Sequence, residues 1–228
     1  TFFACRCNSI TPNFTESACL SNSKIVWNRN ESGNYDEYVF ETDESHLLGL
    51  HNRQNMMASI LAVSKEVKDK RLIQNSLNTF LPLPHRLERI SEIRGITFIN
   101  DSKATNTESV KQAITAFDKP IHLILGGYDK GENYTILLPY LNERVKRIYL
   151  IGNSREKMEL AFQSLRARIS IHRTLFEAVN RAYRNAGKEE VVLLSPACAS
   201  YDMYKNFEQR GEAFRTIVKE LEKDENRL

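Results

Sequence analysis

The stretch "GITFINDSKATNTES", residues 95–109, changes character halfway along its length. Residues 95–99 are mostly apolar or β-branched, which predicts a strand. The six positions 101–106 hold Asp101, Ser102, Lys103, Thr105 and Asn106. Residues 107–117 then read as a helix, which Thr105, Asn106 or Thr107 can cap. A cap needs only one such residue. Asp101 and Lys103 are left over by that account. An ammonium with three donors suits an anion, and a carboxylate suits a hydroxyl or a cation. The stretch is therefore one β-α unit with a candidate site at the turn.

The same alternation runs to the end of the chain. Residues 121–125, 145–151, 169–171 and 191–194 read as strands, and 134–141, 154–165, 174–186 and 206–223 as helices. Nearly unbroken apolar strands separated by helices predict an α/β fold. The sheet is Rossmann-like and mostly parallel, with helices on both faces. Ligands of such sheets bind beyond the carboxyl ends of the strands. The earlier part is different. Residues 1–42 are irregular, with strand-like runs at 24–27 and 38–40, and helices are expected over 52–66 and 68–77. Pro82 and Pro84 stop any helix, so the boundary is placed between domains of residues 1–83 and 84–228.

Other polar clusters also follow strands or open helices. "LGGYDKG" (125–131) combines three glycines with Lys130, and "LLSPACASYDMYKNFEQRG" (193–211) runs from a strand through small residues to Ser200. "LPHRLERI" (83–90) carries Arg86 at the boundary, and "GLHNRQN" (49–55) sets Asn52 and Asn55 on one face of a helix start. Each has a plainer reading: a turn, a solvated guanidinium, a cap. Cys198 has no histidine near it in sequence to act as a base, so a buried thiol is expected rather than a nucleophile.

Bulk properties exclude several classes. A net charge of +3 leaves no concentrated basic face, so no nucleic-acid partner is expected. No run approaches the roughly 20 apolar residues that span a bilayer. No signal peptide opens the chain, so a cytoplasmic place is expected and no membrane. The four cysteines are too few and uneven for a disulfide framework. Reduced core thiols and no metal site are expected. The opening lacks Met and reads as mid-protein sequence, so the chain is expected to be a fragment.

Taken together, G-L-H-N-R-Q-N, L-P-H-R-L-E, N-D-S-K-A-T-N, G-G-Y-D-K-G and S-P-A-C-A-S-Y-D-M-Y-K-N-F-E-Q-R-G resemble the Mur ligases, from about Gly49 onward. The resemblance implies an ATP-dependent bacterial enzyme of peptidoglycan synthesis. It would add D-glutamate to UDP-N-acetylmuramoyl-L-alanine through an acyl phosphate. It implies that Asn55, Arg86 and Asp101 contact ATP, with Asn52 and Lys103 in the same neighbourhood. It implies that Thr105, Lys130, Ser200 and Phe207 line the D-glutamate pocket, with Tyr201 contributing backbone. ATP and Mg2+ are the implied cofactors, and a monomer is expected. The family's G-x-x-x-x-G-K-[ST] phosphate loop is absent from these residues. The resemblance therefore covers the tail of the central ATPase domain (1–83) and the whole third domain (84–228). The Mg2+ ligands are expected upstream, no catalytic residue is assigned, and the fragment alone is expected to be inactive. A non-catalytic module binding an acidic metabolite or nucleotide is the alternative. A dinucleotide oxidoreductase is disfavoured by the missing G-x-G-x-x-G.

Overall fold

The computed structural model describes residues 5–6, 16–21, 24–31, 34–64 and 66–227. Contacts divide the chain into two units, Thr1–Pro82 and Leu83–Leu228.

In the first unit β1 (Cys5–Arg6), β2 (Glu16–Ser21), β3 (Lys24–Glu31) and β4 (Asn34–Glu41) form one sheet in chain order. β1 is parallel to β2, and the other pairs are antiparallel. Ala18, Ile25, Trp27 and Phe40 are buried with Met56, Met57 and Ile60 of α1 (Leu50–Val63) and Ile73 of α2 (Lys70–Thr79). Both helices are displaced from their expected spans for local reasons. Gly49, at φ 91°, lets α1 begin at Leu50. The Asp69 carboxylate accepts from the Arg71 N–H and fixes the start of α2. Cys19 is disulfide-bonded, which corrects the expectation of reduced thiols there. That expectation weighed spacing along the chain, whereas cross-linking depends on proximity across strands.

The second unit holds six strands in the order β5-β6-β10-β7-β8-β9. They are β5 (Glu88–Ile93), β6 (Ile96–Asn100), β7 (Ile121–Gly126), β8 (Val145–Ile151), β9 (Ile169–Ile171) and β10 (Val191–Leu194). All neighbours are parallel except β5, which runs antiparallel to β6. The mixed α/β architecture with a mostly parallel sheet is the one expected. β5 was not expected, because "ERISEI" holds only two apolar residues, Ile90 and Ile93, three apart and without a strand's alternation. On one face α6 (Leu175–Asn185) and α7 (Phe207–Glu225) bury Val179, Phe214 and Val218 against Phe98, Ile124 and Val192. On the other, α3 (Thr107–Thr115) and α4 (Leu138–Arg144) bury Val110, Ile114 and Leu141. α5 (Arg155–Ala161) follows β8. The helix expected over 134–141 begins as a 3-10 turn, and α4 starts afresh with Pro139 in its first turn.

Gly211 sits inside α7, where glycine is normally a weakness. A Cβ there would stand 2.1 Å from Nδ1 of His85. His85 is buried at φ 65°, and its Nδ1 lies 2.9 Å from Asn100 Nδ2. Gly211→Ala therefore has two opposed effects. Helix propensity favours alanine by about 1 kcal/mol, while overpacking costs roughly 1–3 kcal/mol beyond that gain. The expected result is a Tm lowered by roughly 3–10 °C, read by thermal circular dichroism. An unchanged or raised Tm would show that His85 yields freely.

Candidate functional site at the carboxyl ends of the central strands

Register brings three strand ends level. Leu194 of β10 pairs with Asn100 of β6 on one side and Ile124 of β7 on the other. Three loops therefore leave the sheet side by side.

In the loop after β6, the Asp101 N–H donates to Leu194 O at 2.8 Å, fastening it to β10. The carboxylate is 7% exposed and accepts from Ser195 Oγ at 2.8 Å and from the Leu87 N–H at 3.2 Å. Burial pushes its pKa up to about 7, against the opposing pull of those hydrogen bonds and of the Arg86 charge. Arg86 is exposed on the turn beside it. Lys103 is exposed, its N–H donates to His85 O, and its Nζ lies 3.8 Å from the Phe207 ring centroid. Thr105 is half-buried. Asn106 is the residue that caps α3, accepting from the Ser109 N–H at 2.8 Å.

The glycine turn after β7 has a definite reason. A Cβ on Gly127, at φ 143°, would stand 2.3 Å from Ala199 O. That closeness lets the Tyr128 N–H donate to Ala199 O at 2.8 Å, joining this loop to the one after β10. The Thr107 N–H and Oγ1 both donate to Glu132 Oε2, at 3.1 and 2.7 Å, joining it to the loop after β6. Asp129 is occupied by Tyr134 Oη and Lys157. Lys130 is exposed at the tip.

In the third loop Ala197 takes φ 60°. The Cys198 thiol is buried beside Ser154 Oγ and Tyr134 Oη, and burial pushes its pKa up. That favours the inert thiol over a thiolate nucleophile. Ser200 is 2% exposed, and its carbonyl accepts from the Met203 and Tyr204 N–H groups. Tyr201 is 71% exposed, with its ring edge-on to Tyr128. Phe207 opens α7 and is half-buried.

Hydrogen bonds thus link the segments carrying Asp101, Lys103, Thr105, Lys130, Ser200, Tyr201 and Phe207. Asn52 and Asn55 lie on α1 of the first unit, where Asn55 Nδ2 donates to Asn52 Oδ1 at 3.4 Å, so they share one face. Two hollows, of about 410 and 640 Å³, lie at the amino ends of the strands, and no candidate residue lines either. Among the described residues no group of three or more His, Cys, Asp or Glu is placed to hold a metal. Sequence reading missed Arg210, which is buried beneath the first and third loops. The available signal was a cation in register with the stripe Phe214, Ile217 and Val218.

Residues 85–198 match the family model described as Mur ligase, glutamate ligase domain. A UDP-N-acetylmuramoylalanine-D-glutamate ligase of Caldicellulosiruptor bescii is 40% identical over 184 residues, 80% of this chain and 40% of the relative. One of Elusimicrobium minutum is 42% identical over 193 residues, 82% of this chain and 42% of the relative. The chain thus spans about two fifths of the length of these relatives. The solved UDP-N-acetylmuramate-alanine ligase of Thermotoga maritima superposes with a TM-score of 0.62 at 15% identity, covering 92% of this chain and 47% of that one. A bifunctional folylpolyglutamate synthase/dihydrofolate synthase of Yersinia pestis gives 0.61 at 15% identity, covering 88% and 45%. At such identities the likeness is one of fold.

The raised pKa of Asp101 has a stability consequence. The folded state holds its proton up to about pH 7, while the unfolded chain releases it near the ordinary aspartate value of 3.8. Between those limits the folded state binds more protons, so this group's contribution falls as pH rises. Asp101→Asn removes that fall. Urea unfolding at pH 5 and pH 8 should show the variant losing about 1–3 kcal/mol less than the parent over that interval. Equal losses would mean that Asp101 titrates near its ordinary value.

Proposed function

The chain belongs to the Mur ligase family, in its glutamate ligase domain, and on that premise we propose that it is the amino-acid-binding part of an ATP-dependent ligase. The substrates are D-glutamate and UDP-N-acetylmuramoyl-L-alanine, and the place of action is the cytoplasm. ATP transfers its terminal phosphoryl group to the alanyl carboxylate, giving an acyl phosphate and ADP. The free-base amine of D-glutamate attacks the acyl carbon. Phosphate leaves with the electrons of the broken C–O bond, and the nitrogen gives up a proton.

The observation that supports this most is the linkage of the three loop tips, through Tyr128 to Ala199 and Thr107 to Glu132. D-Glutamate carries two carboxylates, which call for a cation and several donors. In this reading Lys130 is the cation. Thr105 and Ser200 donate through their hydroxyls, and Tyr201 through its backbone N–H. Phe207 forms an apolar wall. Arg86, Asp101 and Lys103 contact or border the nucleotide. A guanidinium suits phosphate oxygens because its fork is planar and always charged. Asp101 already spends one hydrogen bond on each oxygen inside the protein. We assign no Mg2+ ligand to the described residues, and no step here is routed through the ion. Among those residues no helix is long and apolar enough to cross a membrane. The reading is of a monomer acting on small molecules.

Kinetics of the complete protein that carries this chain test the assignment. Lys130→Ala should raise the KM for D-glutamate roughly 10- to 100-fold, the value of one charge-assisted contact. The KM for ATP should stay within about 2-fold. Arg86→Ala should reverse that pattern. Equal effects of both variants on both substrates would remove the assignment. The 228 residues by themselves contain no G-x-x-x-x-G-K-[ST] loop to neutralise the transferring phosphoryl group. Assayed alone with both substrates and ATP, they should release no ADP above background.

A further inference from the structure

Arg210 is 1% exposed, yet among the described residues no carboxylate is ion-paired with it. Its hydrogen-bond partners are all neutral. Nε donates to Ser102 Oγ at 3.0 Å, and Nη2 to Ser102 O at 2.9 Å and Cys198 O at 3.1 Å. Nη1 donates to Ala199 O at 3.3 Å. The Ser102 hydroxyl passes the connection on, donating to Phe207 O at 2.8 Å. Gly127 packs on the same group, since a Cβ there would lie 3.1 Å from Nη1. One side chain thus bonds to the first and third loops, packs against the second, and reaches the Phe207 carbonyl through the Ser102 hydroxyl.

We propose that Arg210 is a positioning residue for the amino-acid substrate, fastening the loop tips in one arrangement and supplying a buried positive charge beneath them. The inference rests on the D-glutamate pocket proposed above and deepens it. In a trans peptide the C=O and N–H point in opposite directions. Arg210 draws the carbonyls of Cys198 and Ala199 inward. The N–H groups sharing those peptides, on Ala199 and Ser200, are thereby aimed away from the guanidinium. Ser102 O is the carbonyl preceding Lys103, so the same clamp sets where the loop toward Thr105 departs. Charge also matters. A neutral donor could hold one carbonyl, but only the guanidinium fork holds three and a hydroxyl together. A buried cation held by no ion pair is costly; the Asp202 carboxylate acts on Arg210 only through its charge, and an arriving dicarboxylate adds to that negative charge. Burial lowers the pKa of Arg210 to about 10, which leaves it protonated at neutral pH.

The test uses the complete protein with Arg210→Met, Arg210→Lys and Ser102→Ala, measuring KM for D-glutamate and for ATP beside a thermal melt. Arg210→Met, similar in length but uncharged, should raise the KM for D-glutamate roughly 10- to 100-fold. Arg210→Lys keeps the charge without the fork and should recover part of that loss. Ser102→Ala should shift the same constant by roughly 3- to 10-fold. The KM for ATP should stay within about 2-fold throughout. A purely structural staple would lower Tm and the active fraction, hence kcat, with the KM for D-glutamate unchanged; that result overturns the inference. If the Arg210 variants do not fold, Ser102→Ala decides by the same criterion. A parent protein that releases no ADP in response to D-glutamate removes the pocket itself, and the inference with it.

Discussion

Everything above the sheet depends on β10 lying between β6 and β7. Val191–Leu194 is short and fully buried, and it carries parallel ladders on both sides. Its neighbours end at Asn100 and Gly126, far back along the unit, so the slot it fills is closed by contacts distant in sequence. Such pairing pays loop-closure entropy before burial repays it. Until β10 is seated, Asp101 lacks its tie to Leu194 and Ser195, and Tyr128 lacks Ala199. Strand order and loop geometry are therefore one constraint.

Between the apolar sheet and the loops lies a layer of buried polar groups. Asn100, Asp101, Ser102, His85, Ser195 and Arg210 are all buried, and nearly every bond they make is to another member or to a backbone group. A carboxylate and a guanidinium occupy this layer without pairing with each other. Asp101 is served by a hydroxyl and an N–H, and Arg210 by carbonyls and a hydroxyl. Buried networks of this kind specify one arrangement when satisfied and are costly when broken. The strain at His85 and the tight packing of Gly211 belong to the same layer.

Most of the parallel core could be read from the amino acids because its strands are apolar on both faces and its helices are periodic. The alternation of "INDSKATNTES" with a preceding strand marked the first loop for the same reason. Other features resisted reading because their cause is tertiary. β5 carries only two apolar residues, Ile90 and Ile93, which also fits a polar connection. Gly211 reads as a weak helix residue until His85 is seen against it. Arg210 reads as surface charge unless its place in the stripe with Phe214 and Ile217 is noticed. His122 carries no signal in the apolar run 121–125 that marks it as a polar contact. Yet it is buried, with Nδ1 at 2.8 Å from Tyr149 Oη and Nε2 at 2.9 Å from Glu190. The glycines of "LGGYDKG" read as a turn, while the contact that Gly127 serves directly is with the neighbouring loop.

The outer strands of the six-stranded sheet bear on how molecules of this protein behave in company. β9 is only three residues long. β5 has a register irregularity between Arg89 and Ser91, carries the Arg89–Glu92 ion pair, and packs against α7. Short length at one rim, and a bulge with charge at the other, are the devices that discourage accretion of further strands. Neither rim offers a neighbouring molecule a long straight row of unpaired amides to extend.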